Sequence, residues 1–103
     1  MKHPTDHHMD KETFRRHGHA VIDWIADFLH ERVDDLPVMS RAEPGSVRSQ
    51  LPASPPTRGE PFEAMLRDVD RIVVPGLTNW QSPNWHGYFP ANISGPAILG
   101  DLL

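Results

Sequence analysis

The residues of this chain that suggest a binding function are aromatic and lie between Asn79 and Gly95. The stretch reads N-W-Q-S-P-N-W-H-G-Y-F-P-A-N-I-S-G. Its prolines exclude an uninterrupted helix because each fixes φ and removes a backbone donor, and its glycines free the backbone. Large aromatic side chains gain most from burial. The stretch is therefore interpreted as a rigid, irregular segment that presents rings to a ligand or to another protein.

The charge around these rings narrows the class of ligand. No Lys or Arg follows Arg71, whereas a surface that stacks nucleic-acid bases interleaves its rings with positive charge. The formal net charge of −4 also argues against a nucleic acid or an anionic membrane surface as a partner. The sequence therefore predicts an apolar or aromatic small molecule, or another protein surface.

Groups that could perform catalysis on their own are scattered. The chain has no cysteine, and its two lysines, Lys2 and Lys11, lie near the N-terminus. No Gly-rich phosphate loop, H-E-x-x-H, G-x-S-x-G or paired-carboxylate pattern occurs, so no catalytic residue is assigned. His86 is the only histidine in the aromatic stretch. We interpret it first as a structural or surface residue and second as a polar contact for a ligand.

Residues 1–9 are polar and contain His3, His7 and His8. Such a tract can bind a transition metal adventitiously, but terminal segments of this composition are usually mobile. We therefore predict a disordered N-terminus over 1–9 and assign no metal site.

The elements that position the aromatic stretch are predicted to be helices, and the longest covers 10–35. Asp10 is a plausible N-cap, and the apolar residues that follow recur at helical spacing. They cover about half of the helix circumference, which is wider than the roughly 100° stripe needed against a single core. Part of this arc is therefore expected to contact another subunit or domain. The alternative is an ordinary core-facing helix.

A Pro-rich strap is predicted over 36–60, because its prolines and glycines prevent any regular element from persisting. A short helical turn around Gly45–Gln50 is compatible with this strap. Its four spaced apolar residues favour docking along a surface over free tethering; these are Leu36, Val38, Val47 and Leu51.

A second amphipathic helix is predicted over 61–74, with Pro61 at the first position and an apolar stripe of ordinary width that faces a core.

The aromatic loop occupies 75–95, and 96–103 is predicted to begin a third helix with Ser94 as its N-cap. That helix stops on Leu102 and Leu103 without a cap, so the chain is expected to be the N-terminal part of something larger.

Size and composition bound the remaining possibilities. With 103 residues, 11 prolines and 38% hydrophobic residues, the chain is at most one small domain and is not expected to be a self-sufficient globule. No apolar run approaches the roughly 18 residues that span a bilayer, and the N-terminus is polar where a signal peptide would be apolar. A cytoplasmic location is the default expectation for such a cysteine-free sequence.

Four motifs in this order resemble the N-terminus of the group II pyridoxal-phosphate decarboxylases, and most of all the aromatic-L-amino-acid decarboxylase branch. They are F-R-R-H-G-H-A-V-I-D-W-I-A-D-F-L from Phe14, E-P-G-S-V-R-S-Q-L-P-A-S-P-P from Glu43, P-G-L-T-N-W-Q-S-P-N-W-H-G-Y-F-P-A from Pro75, and S-G-P-A-I-L-G-D-L-L from Ser94. The resemblance covers about residues 12–103.

The resemblance implies a mainly α fold, the N-terminal helical dimerisation segment of a fold type I, aspartate aminotransferase-like enzyme. The large α/β domain would lie outside this sequence. It would make most of the contacts with the pyridoxal 5'-phosphate cofactor and would contain the lysine that forms the Schiff base. The N-terminal helices would pack on the partner subunit of a homodimer, with contacts made through the first helix and the strap. The resemblance also implies decarboxylation of an aromatic L-amino acid, with a related oxidative deamination as the open alternative.

In that family, the positions matching Trp80, Tyr88, Phe89 and Pro90 line the pocket for the substrate's ring. The next position is often a threonine that contacts the substrate; here it is Ala91, so only a backbone role can be carried over to it. A second interpretation, from a different class of protein, is a non-enzymatic helical interaction module whose aromatic loop binds a protein partner.

Overall fold

The computed structural model describes residues 8–87 and 93–103, and this part of the chain is helical and contains no strand. The prediction of a mainly α fold is therefore confirmed for these residues. Four α-helices follow one another within the described residues: α1 (Lys11–Asp27), α2 (Ser46–Gln50), α3 (Phe62–Asp68) and α4 (Gly95–Leu102).

Helix α1 begins where its sequence provides a cap. Asp10 Oδ1 accepts a hydrogen bond of 2.7 Å from the backbone N–H of Thr13, and Glu12 lies in the first turn, where a negative charge favours the helix. The helical conformation does not end with α1. It continues through a π-helical turn over Phe28–Arg32 and a 3-10 turn over Val33–Asp35.

Helix α3 ends in the same way, through a π-helical turn over Val69–Val73 and a 3-10 turn over Val74–Gly76. The helical conformation thus passes the end predicted at residue 74. Pro75 is tolerated there because it lies in the first turn of the 3-10 segment, where its missing N–H breaks no internal hydrogen bond.

The core of the described chain is small. Its buried apolar side chains are those of Val33, Ile72 and Val74, which lie in the terminal turns that follow α1 and α3. The radius of gyration is 16.9 Å, whereas a compact domain of this length has about 13 Å. The helices therefore lie in an extended arrangement with much of their apolar surface uncovered.

A polar and aromatic cluster joins α1 to the segment after α3. Asp70 Oδ1 accepts hydrogen bonds from the Trp24 indole Nε1 at 2.9 Å and from Arg32 Nη1 at 2.7 Å. The Arg32 guanidinium also lies over the Trp24 and Phe28 rings, 5.7 and 5.8 Å from their centroids. Burial acts to raise the pKa of Asp70, but the hydrogen bonds from Arg32 and Trp24 and the Arg32 charge outweigh it. The pKa of Asp70 is therefore lowered from its ordinary value.

The strap predicted over 36–60 consists of a packed part and an exposed part. Ser40 Oγ donates to the carbonyl of Pro75 at 2.7 Å, and a Cβ on Gly76 would lie 2.6 Å from Val47 Cγ2, so α2 approaches the end of the α3 segment closely. The residues over 51–60 are all exposed, including Leu51. Of the four predicted anchors, the other three are half-buried.

The aromatic loop is attached to Pro37 and Val38, just after the 3-10 turn that ends at Asp35. Asn79 is 6% exposed; its backbone N–H donates to the Val38 carbonyl at 2.8 Å, and its side-chain Nδ2 donates to the Pro37 carbonyl at 2.7 Å. These two hydrogen bonds fix the residue that directly precedes Trp80.

Within the described residues, no helix combines the length and the apolar character that crossing a bilayer requires.

Replacing Asp70 by Ala is expected to lower the free energy of unfolding by about 1 kcal/mol, because the ion pair is exposed and the indole bond adds a modest net contribution. The matched control is Asp23→Ala, an exposed carboxylate on α1 with no ion pair among the described residues, and it should change little. Urea unfolding followed by helical ellipticity measures both.

The effect of Asp70 should also depend on pH in one direction. Because the folded pKa is lowered, the stabilisation is complete above the ordinary aspartate pKa and is lost as the pH falls through the folded value. The unchanged protein and Asp70→Ala should therefore converge in stability in acid. A difference that persisted or grew as the pH fell would contradict the role given to this carboxylate.

Replacing Asn79 by Ala is expected to destabilise the protein by about 1–3 kcal/mol, because the side-chain hydrogen bond is lost at a buried position. Asn84→Ala is the control in the same loop: its side chain is exposed, and a change within about 0.5 kcal/mol is expected. Equal losses for the two variants would show that the loop is not anchored through Asn79.

Candidate functional site

The aromatic loop is folded by a short series of turns. The Ser82 N–H donates to the Asn79 carbonyl at 3.0 Å, and the Trp85 N–H donates to the Ser82 carbonyl at 3.1 Å. Ser82 is buried, and its Oγ accepts a further bond of 3.1 Å from the Asn84 N–H. The loop therefore folds back on itself and brings residues five apart in sequence into contact.

The contact produced in this way is a stacked pair of indoles. The rings of Trp80 and Trp85 have centroids 5.1 Å apart and planes inclined by 20°. Trp80 is 47% exposed, whereas Trp85 is half-buried. The Trp85 Nε1 is buried and has no hydrogen-bond acceptor within the described part of the chain. In this pair the Trp80 ring faces outward, and the Trp85 ring lies behind it.

Gly87 is required for this arrangement because of space. A Cβ at Gly87 would lie 2.8 Å from the Trp85 ring carbon Cζ2, closer than real contacts allow. Gly87 does not have a positive φ; among the described glycines that conformation occurs at Gly45, with φ of 83°. The sequence-based interpretation of Gly87 as a source of backbone freedom is therefore replaced by close packing against Trp85.

The predicted site residues are only partly within the described structure. Trp80 is described and exposed, whereas Tyr88, Phe89, Pro90 and Ala91 lie outside the described residues. His86 is exposed. Trp85 is one of the rings of the aromatic stretch, but it was not among the residues predicted to line the substrate pocket. The signal that could have suggested it is the recurrence of tryptophan at positions 80 and 85 around Pro83, followed at once by a small residue at 87.

A second surface with binding potential is an apolar groove between α1 and α4. Its volume is about 600 Å³. Helix α4 is capped by Ser94, whose Oγ accepts from the Ala97 N–H at 3.2 Å. The walls are mostly aliphatic and aromatic, and the residues lining the groove include Phe14, Gly18, Ile22, Ile25, Leu99 and Leu102. Phe14 is 69% exposed, so a large apolar side chain lies uncovered at this surface.

Residues 8–87 and 93–103 contain no group of three or more His, Cys, Asp or Glu side chains arranged to hold a metal ion. Asp70, whose pKa is lowered, is engaged by Trp24 and Arg32 in the contact between helices. The described residues do offer ring contacts and apolar surface.

Comparison with known proteins identifies relatives that match most of the chain. A tryptophan decarboxylase of Camptotheca acuminata is 43% identical over 95 residues, which are 92% of this chain and 19% of that protein. A phenylacetaldehyde synthase of Petunia hybrida is 46% identical over the same shares of the two chains. The chain thus spans about a fifth of the length of the curated relatives it matches.

Solved structures of related proteins match this chain in fold as well as in sequence. The crystal structure of Catharanthus roseus tryptophan decarboxylase in complex with L-tryptophan matches with a TM-score of 0.84 and 38% identity, covering 91% of this chain and 20% of that one. Residues 44–103 match the family described as the pyridoxal-dependent decarboxylase conserved domain. Because this match covers more than half of the chain, and because the relatives agree with it in sequence and fold, the chain belongs to the pyridoxal-dependent decarboxylase family.

Proposed function

We propose that this chain is the N-terminal part of a pyridoxal 5'-phosphate-dependent decarboxylase that acts on aromatic L-amino acids. In this proposal the segment contributes the wall of the pocket for the substrate's ring and the packing of a homodimer, and it is not itself catalytic. The observation that carries the proposal is the anchored loop that presents the Trp80 ring, in a chain related to tryptophan decarboxylases. A cytoplasmic location is a further part of the proposal.

The residues present do not fit the role of a complete cofactor site. A pyridoxal phosphate enzyme holds its cofactor through a lysine Schiff base and a phosphate site, and supplies the surrounding electrostatics. The lysines of this chain are Lys2 and Lys11, and Lys11 is the first residue of α1, far in sequence from the aromatic loop. We therefore assign no cofactor-binding residue here, and the cofactor is proposed to bind mainly to a domain outside this sequence.

Substrate selection is the chemical role left to this segment. The Trp80 ring is exposed on an anchored loop, and Tyr88, Phe89 and Pro90 follow it closely in sequence, with Ala91 contributing at most backbone. A wall of rings gains from burying an aromatic side chain. It offers no cation to a second carboxylate, whose desolvation would be uncompensated. The proposed pocket therefore favours aromatic over acidic amino acids.

Replacing Trp80 by Ala in the complete protein should lower kcat/KM for aromatic substrates by a factor equivalent to about 1–3 kcal/mol, because a ring contact is lost. The measurement compares tyrosine, dihydroxyphenylalanine, tryptophan and glutamate. Both the amine and the aldehyde product are quantified, since one relative is named as an aldehyde synthase. Glutamate as the best substrate, or an unchanged ranking in the variant, would refute the pocket assignment.

The homodimer is supported by the part of the α1 surface that this chain leaves uncovered. Trp24 and Phe28, on one side of the apolar arc, pack with Arg32. Phe14 and Ile22 instead line the open groove and are both exposed. A Cβ added at Gly18, between them on the same face, would have no heavy atom within 4 Å, which leaves room for another backbone. We propose that a second copy covers this groove.

Replacing Ile22 by Glu should shift the protein from dimer toward monomer or aggregate, because a charge would be buried without a partner. Arg16→Glu is the control: it introduces the same side chain on the opposite, exposed face of α1 and should leave the dimer intact. Analytical ultracentrifugation measures both. A stable, well-dispersed monomer of the unchanged protein would contradict the proposed dimer.

A further inference from the structure

The two indoles of the aromatic loop have different surroundings. Trp80 is 47% exposed, and Trp85 is half-buried with its ring stacked on that of Trp80. The 5.1 Å between their centroids falls within the range in which aromatic pairs attract each other. One face of the Trp80 ring is thus in contact with Trp85, and the exposed remainder is available to another molecule.

Trp85 is held by packing and by its backbone. Its N–H donates to the carbonyl of the buried Ser82, and its ring lies against the backbone of Gly87. The indole Nε1 is buried without an acceptor in the described chain, so no side-chain hydrogen bond fixes the ring. A buried donor without an acceptor is costly, and its retention indicates that the large ring itself is what this position requires.

Trp80 has the opposite kind of support. The residue before it, Asn79, is fixed by two hydrogen bonds to Pro37 and Val38, so the Trp80 backbone is anchored. The structure shows no hydrogen bond from the Trp80 indole among the described residues, and the contact that sets the plane of its ring is the stack on Trp85. The two hydrogen bonds of Asn79 fix the position of the Trp80 backbone, and the contact with Trp85 fixes the orientation of the Trp80 ring.

We propose that Trp85 is a positioning residue that sets the plane of the Trp80 ring, and thereby the preference of the pocket for an aromatic over an aliphatic amino acid. Trp85 acts through Trp80 and does not contact the substrate. The inference rests on the proposed function, because it concerns the pocket in which Trp80 is proposed to meet the substrate's ring.

The physical effect follows from pre-organisation. A ring already held in its binding orientation loses little rotational freedom when the substrate arrives, whereas a free ring must be ordered at that moment. Removing the Trp85 ring should therefore reduce the ratio of kcat/KM for tryptophan to kcat/KM for leucine. The expected reduction is about two- to tenfold, the factor that corresponds to one aromatic pair.

The test uses the complete protein with Trp85→Leu, which removes the ring, and Trp85→Phe, which keeps a ring and removes the unpaired N–H. Gly87→Ala is a third variant that displaces the Trp85 ring without changing either tryptophan. Gln81→Ala is the control, a substitution of an exposed residue in the same loop that changes neither tryptophan. Circular dichroism of the stacked indoles, which gives an exciton signal, reports the pair independently of activity.

Trp85→Leu and Gly87→Ala should weaken the exciton signal and reduce the preference for tryptophan, mainly through KM. Trp85→Phe should lose the signal but keep most of the preference. A purely structural role would instead lower turnover of both substrates equally. Unchanged preference in Trp85→Leu and Gly87→Ala, with the signal weakened, would overturn the inference alone. Absence of turnover of any aromatic amino acid by the unchanged protein would overturn the proposed function, and the inference with it.

Discussion

One carboxylate oxygen joins the two longest helical segments of the described chain. Asp70 Oδ1 accepts both the Trp24 indole N–H and an Arg32 N–H, and the Arg32 guanidinium extends over the rings beside it. The core behind this cluster is small, with three buried apolar side chains among the described residues. Because hydrophobic burial alone is limited, the relative position of α1 and α3 depends on this combination of ring contacts, hydrogen bonds and charge.

The positions of the helices follow from local sequence signals. The cap at Asp10, the cap at Ser94 and the helical spacing of apolar residues are properties of short stretches, and the structure has α1 and α4 beginning directly after those caps. The partner of each face does not follow from such signals, because periodicity gives the angle around a helix and not what lies opposite. Trp24 contacts Arg32 and Asp70, whereas Phe14, on the same broad arc, faces an open groove.

The candidate site was predictable in composition but not in geometry. The density of rings around Trp80 indicates a binding segment, and the family resemblance suggests which rings contact the substrate. The stack on Trp85 could not be predicted, because the path of an irregular loop depends on Asn79 and its hydrogen bonds to Pro37 and Val38, more than 40 residues earlier. Gly87 was interpreted through backbone freedom because sequence cannot show that a ring lies 2.8 Å from its missing Cβ.

The hydrogen bond from Asn79 to Pro37 also constrains the order in which the chain folds. It joins residues 42 apart in sequence, and closing a chain segment of that length costs about 3 kcal/mol in entropy before any contact compensates for it. The helices form from local contacts on a faster timescale. Once Trp24 and Asp70 have brought α1 and α3 together, most of that closure is already made. We therefore expect the long-range hydrogen bond that attaches the aromatic loop to form after the helices have paired.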